Sequence, residues 1–244
     1  MRPQWISATL AGLLSALLSA PVAAAMLYSN NFEGQPKALQ GAGARTPTLG
    51  YQKLGFENHL WRNDVAGGGA DHASLLTFTM DAAREVQLDF DLAIIDSWDP
   101  TDNFGPDTFN VAVDGQPVFS RIFTGNFDEF TRPTIDPALT MLSFGRKLAK
   151  YGDWNDDWDD AAYAVSLSLG ELEAGDHTVS FYAAGPVWQG GYDESFGLDN
   201  IRITSLNGAG TGTRERVADV PEPHTVGLVA TALLCLGRAR RRRR

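Results

Sequence analysis

Apolar and polar residues alternate one for one along Val86-Gln87-Leu88-Asp89-Phe90-Asp91-Leu92. That period of two suits a half-buried strand and not a helix, whose faces repeat about every 3.6 residues. The same beat returns in Phe109-Asn110-Val111-Ala112-Val113-Asp114, which runs into Asp114-Gly115, a hairpin turn pair, ahead of Val118-Phe119. Ala164 to Leu169, His177 to Tyr182 and Leu198 to Ile203 repeat it. Only residues 136–151 read as a helix or a long loop. Many strands, glycine-rich turns and no strand–helix alternation predict an all-β domain over residues 27–206. The expected architecture is an antiparallel β-sandwich, most simply a jelly roll. No fixed repeat period occurs, which argues against a solenoid.

Both ends of the chain differ from this middle. Residues 1–25 carry Arg2, an apolar stretch from Ile6 to Leu18 and small residues at Ala20, Ala23, Ala24 and Ala25. Charge, hydrophobe and small residues in that order predict a secretory signal peptide cleaved near Ala25. Residues 207–219, rich in Gly and Thr, read as a flexible linker. Residues 220–244 hold Val220-Pro221-Glu222-Pro223, an apolar run from Val226 to Leu236, then Arg238 and the block Arg240 to Arg244. A terminal arginine cluster resists translocation, so the preceding domain would face away from the cytoplasm.

This tail resembles the PEP-CTERM sorting signal of Gram-negative bacteria, with Pro221, Glu222 and Pro223 matching its motif residue for residue. The resemblance implies handling by an exosortase and the secretion machinery. It also implies an inner-membrane-retained precursor with transient membrane association, and delivery to the cell surface or an exopolysaccharide matrix. One departure is the apolar segment, shorter than the roughly 20 residues that cross a bilayer as a sorting helix.

Setting the targeting segments aside changes the charge. The chain has 20 Lys plus Arg against 30 Asp plus Glu, and without Arg2 and the six tail arginines 13 basic residues remain. So acidic a domain is a poor partner for nucleic acid and a good one for cations, calcium above all. The single cysteine, Cys235, lies in the tail. The domain therefore folds without disulfides and offers no thiolate chemistry.

Aspartates dominate the candidate sites. Asp96, Asp99, Asp102 and Asp107 crowd one loop, and several oxygens on a loop suit calcium, which takes six to eight without strict angles. The spacing lacks the glycine and terminal glutamate of an EF-hand. The competing reading is a solvated turn whose aspartates cap strand ends. A second run, Asp153 to Asp160, interleaves aspartates with Trp154 and Trp158. Exposed indole faces stack on sugar rings while a carboxylate such as Asp157 accepts hydroxyl hydrogen bonds; the alternative is that the tryptophans cover the core edge. Trp98 and Trp188, with Gln189, Asp193 and Glu194, extend the candidate ligand set.

The stretch Gly185 to Ile201, with Trp188-Gln189-Gly190-Gly191, Asp193-Glu194-Ser195 and Gly197-Leu198-Asp199-Asn200, resembles the closing segment of β-sandwich domains common among PEP-CTERM proteins. Asn30 to Gly34 and Asp107 to Gly115 fit as well. The arrangement also looks like carbohydrate-binding jelly rolls. That likeness implies a structural calcium shared by Glu33 on the first strand and Asp199 near the last. Simple hydrogen bonding of backbone by Asp199 and Asn200 is the competing reading. No nucleophile elbow, His-Glu-x-x-His or phosphate-cradling glycine loop occurs. The function expected is an exported, non-catalytic, calcium-stabilised binding or structural module for polysaccharide. The alternative is a secreted glycoside hydrolase or lyase, which needs only two placed carboxylates.

Overall fold

The computed structural model describes residues 24–34, 39–48, 50–100, 105–125, 136–146, 159–191 and 193–206. These all fall in the compact unit Met1–Gly208. They form twelve strands in two sheets, and every pairing is antiparallel. The larger sheet runs β3 (Ala44–Pro47), β4 (His59–Asn63), β12 (Glu194–Ser205), β6 (Arg84–Asp96), β10 (Asp160–Leu172) and β9 (Leu139–Arg146), while β1 (Ala25–Asn30) pairs with β12. β4 takes the first half of β12 and β1 the second. The smaller sheet runs β2 (Leu39–Gly41), β5 (Ser74–Met80), β11 (Gly175–Ala184), β7 (Thr108–Val113) and β8 (Gln116–Ile122).

Alternation decides which residues meet between the sheets. Val86, Leu88, Phe90 and Leu92 of β6 are buried, and the intervening Gln87, Asp89 and Asp91 are part-exposed. Phe90 contacts Phe181 of β11 and Phe109 of β7 with ring centroids 5.4 and 6.0 Å apart, and Phe109 meets Phe196 of β12 at 5.0 Å. These contacts close the two sheets into a sandwich around one apolar core. A second, smaller cluster lies on the other side of the larger sheet. There Tyr51 and Phe56, between β3 and β4, cover Leu60, Ala93, Ile95 and Ala162, and the Tyr51 hydroxyl donates to the Ile94 carbonyl at 2.9 Å.

The Asp114-Gly115 pair turns β7 into β8 with φ of 50° and 78°, as an Asp-Gly hairpin turn requires. Residues 139–146 correct an expectation. They are strand β9, paired with the edge of β10, where ladder bonding to a neighbour distant in sequence outweighs a local pattern that reads as helix. No helix among the described residues is long and apolar enough to cross a membrane. Residues 1–23 of the signal peptide, the linker, Val220, Pro221, Glu222, Pro223 and the apolar tail lie outside those residues, as do Asp102, Trp154, Asp157 and Trp158; Ala25 begins β1.

Candidate functional site

Two regions gather functional side chains. The first is one end of the sandwich, where β6 leaves the larger sheet, the chain returns to start β7, and β12 begins. Asp96 ends β6 with φ of 70°, and its amide donates to the Asp160 carboxylate at 3.1 Å. Asp99 and Asp107 clasp each other through the backbone. The Asp99 amide donates to Asp107 Oδ2 at 2.7 Å, and the Asp107 amide donates to the Asp99 carbonyl at 2.7 Å. Gly105 permits this closure, since a Cβ there would stand 2.2 Å from the Asp99 carbonyl oxygen. Glu194, the first residue of β12, accepts the Gln189 amide at 3.1 Å. Asp193 accepts from the Ser97 hydroxyl at 2.7 Å.

The end is electrostatically crowded. Burial, then the negative charge of Asp107, pushes Glu194 up to about 8; burial, with Asp99 and Asp193 adding like charge, raises Asp107 to about 6. Burial and the neighbouring Asp160 and Asp193 raise Asp96 to about 7. The nearby cation, Arg62, opposes the rise at Asp96 and is anchored at the start of β12 and the loop before it. Its Nε donates to Ser195 Oγ at 3.0 Å and a terminal nitrogen to the Gly191 carbonyl at 2.8 Å.

One carboxylate oxygen each from Asp99, Asp107 and Glu194 lies within 4.8 Å of the other two, the one such group of three among the described residues. The structure thus brings Asp99 and Asp107 together as the loop reading expected and adds Glu194. It does not bring Asp96, Glu33 or Asp199 into that group. Glu33 Oε1 accepts the amides of Asn58 and His59 at 2.7 and 2.9 Å. Asp199 accepts the amides of Asn200 and Glu57 at 2.7 and 3.2 Å. Both carboxylates serve as backbone caps, which is the competing reading for Asp199.

The tryptophans of this end belong to the core, a correction to their place in the ligand set. Trp98 is fully buried and Trp188 is 8 % exposed. Their rings meet edge to face at 4.9 Å, and their indole N–H groups donate to the Ser195 and Val65 carbonyls. A ring with no free face has nothing to offer a sugar. Glu194 is likewise fully buried, whereas Gln189 is exposed.

The second region is a polar trough on the outer face of the larger sheet, beginning where the cover from Tyr51 and Phe56 stops. One part, of about 410 Å³, is lined by Asp89, Asp91, Thr140, Ser166, Asn200 and Arg202 among others. Asn200 and Arg202 also line an adjoining part of about 390 Å³ with Asn30, Asn31 and Glu57. Its groups are held by one another. The Ser166 hydroxyl donates to Asp89 at 2.6 Å, and the Asn200 amide donates to Asp91 at 2.8 Å. Sequence reasoning missed this region, although Asp89 and Asp91 stand at alternate, outward positions of the pattern that predicted β6.

No protein-family model matches the chain, and no curated protein matches it in sequence. Among solved structures it is similar to dimeric latent PorU from Porphyromonas gingivalis at 13 % identity and a TM-score of 0.36, over 84 % of this chain and 15 % of that one. It is similar to the catalytic domain of a GH87 alpha-1,3-glucanase at 12 % identity and a TM-score of 0.35, over 83 % of this chain and 30 % of that one. The CBM22-1 xylan-binding domain of Paenibacillus barcinonensis Xyn10C matches at 13 % identity and a TM-score of 0.36, over 78 % of this chain and all of the domain. The chain spans less than a third of the first two structures. Likenesses at these TM-scores assign no activity.

Proposed function

We propose that the protein is an exported β-sandwich of jelly-roll type that binds polysaccharide through the outer trough of its larger sheet, without catalysing a reaction. The observation that carries this reading is the trough itself, where carboxylate, amide, hydroxyl and guanidinium groups of Asp89, Asp91, Ser166, Asn200 and Arg202 stand side by side on neighbouring strands. Such a mixture of donors and acceptors suits a ligand rich in hydroxyls. The strand order supports the fold assignment. Taking β4, β5, β6, β7, β8, β10, β11 and β12 as eight strands in turn, the first, eighth, third and sixth share one sheet and the second, seventh, fourth and fifth the other, as two nested Greek keys demand. The signal-like start and the Pro-Glu-Pro tail support export, exosortase handling and residence on a polysaccharide-bearing surface.

The rival, a secreted glycoside hydrolase or lyase, is favoured by one observation. Asp91 sits in the trough beside Asp89, and burial raises its carboxyl above the usual range, as a general acid needs. Pull-down of the full chain on insoluble polysaccharides separates the two. The expected result is retention without release of reducing ends, weakened about tenfold or more when Arg202→Ala and Asp89→Ala are combined at unchanged melting temperature. Turnover that disappears in Asp91→Asn would overturn the binding reading in favour of the enzyme.

A further inference from the structure

Asp107 is fully buried, and only one of its carboxylate oxygens is satisfied. Oδ2 accepts the Asp99 amide, while Oδ1 is enclosed and has no hydrogen-bond partner among the described residues. The chain makes room for that oxygen, because a Cβ on Gly185 would lie 2.3 Å from it. A buried anionic oxygen without a donor is uncommon in folded proteins and asks for a positive partner. Two further carboxylates converge on the same place, Glu194 fully buried and Asp99 half-buried.

We propose that Asp99, Asp107 and Glu194 form a site for one divalent cation, calcium. The separations are compatible with a shared ion. Calcium–oxygen bonds are about 2.3–2.6 Å, so ligands of one ion stand no more than about 5 Å apart, and these three oxygens lie within 4.8 Å of one another. The donor set is all oxygen, with no imidazole or thiolate, which suits a hard cation and disfavours zinc or copper. The three ligands come from an irregular loop, the residue before β7 and the first residue of β12, a frame that calcium accepts more readily than magnesium with its strict octahedron. Asp99 is part-exposed, so water would supply further ligands. The ion would join the β6–β7 connection to the first residue of the last strand, fastening the end of the sandwich where like charges otherwise repel. The site lies apart from the trough and stands independently of the polysaccharide reading.

The full chain, stripped with chelator and dialysed against calcium, tests this. One calcium per chain is expected at this site, with a melting temperature raised by about 4 °C or more in about 2 mM calcium. Asp107→Asn and Glu194→Gln each remove a charge while keeping an oxygen. Both are expected to melt no lower than the parent in chelator, to weaken calcium binding at least about tenfold and to lose the thermal response. If either variant does not fold, the half-exposed Asp99→Asn carries the same test. Three results would each overturn the proposal: no thermal shift in the parent, a shift that persists in these variants, or a shift from magnesium at equal concentration as large as that from calcium.

Discussion

Trp98 illustrates how a residue's burial redirects its chemistry. Its indole contacts Trp188 and Phe123 edge to face, and its N–H donates to the Ser195 carbonyl at 2.9 Å. Trp98→Ala should cost about 3–5 kcal/mol, from lost apolar burial and a cavity, with an unpaired carbonyl in addition. Chemical denaturation measures it, and a cost below about 1 kcal/mol would contradict the packing. The type and position of this tryptophan were legible in the sequence; its exposure was not. An aromatic beside aspartates reads equally as a sugar platform or a core edge, and only neighbours from β12 and the 185–191 loop decide between them. Glu194 shows the converse. Its partners Asp99 and Asp107 stand far away in sequence, and no local spacing signals that the three carboxylates meet.

At the scale of the element, β12 shows how one residue preserves a pattern. Its buried apolar positions are Phe196, Leu198, Ile201 and Ile203, so strict alternation fails by one step between Leu198 and Ile201. The pairing with β6 shifts register between Asp199 and Arg202, and Asn200 adopts φ of 50°. The extra residue forms a β-bulge that returns the following isoleucines to the core. Asp199 caps the amides there, and Asn200 reaches across to Asp91 and the Gly55 carbonyl. Deleting Asn200 would turn Ile201 and Ile203 outward and Arg202 inward, so the chain should lose cooperative unfolding in a thermal melt. Asn200→Gly, free to take the same φ, should retain it. The alternating strands were readable from their period, whereas β9 was not, because its partner on β10 rather than its own pattern makes it a strand.

For the whole molecule, pH links the charged groups to stability. His177 of β11 is held at 2.7 Å by Asp114 of the β7–β8 turn, and that hydrogen bond raises its pKa. A raised histidine contributes stability that is complete below about 6.5 and is lost as pH climbs through the folded value. Burial raises Asp199 to about 7; the folded state then holds a proton that the unfolded chain releases near its ordinary value of about 4, so stability again falls as pH rises between the two. The melting temperature of the chelated chain should therefore decline from about pH 5 to pH 8, less steeply in His177→Gln. A melt that rises over that range would contradict both assignments. By itself the sequence determined the fold class, since a two-residue period closes only into sheets, along with the acidic, disulfide-free character of the domain. The tertiary structure decided which carboxylates meet, which tryptophans are enclosed and where a polar trough crosses the outer sheet. Those depend on strand pairings between distant segments, and proximity across a sandwich leaves no trace in the linear order.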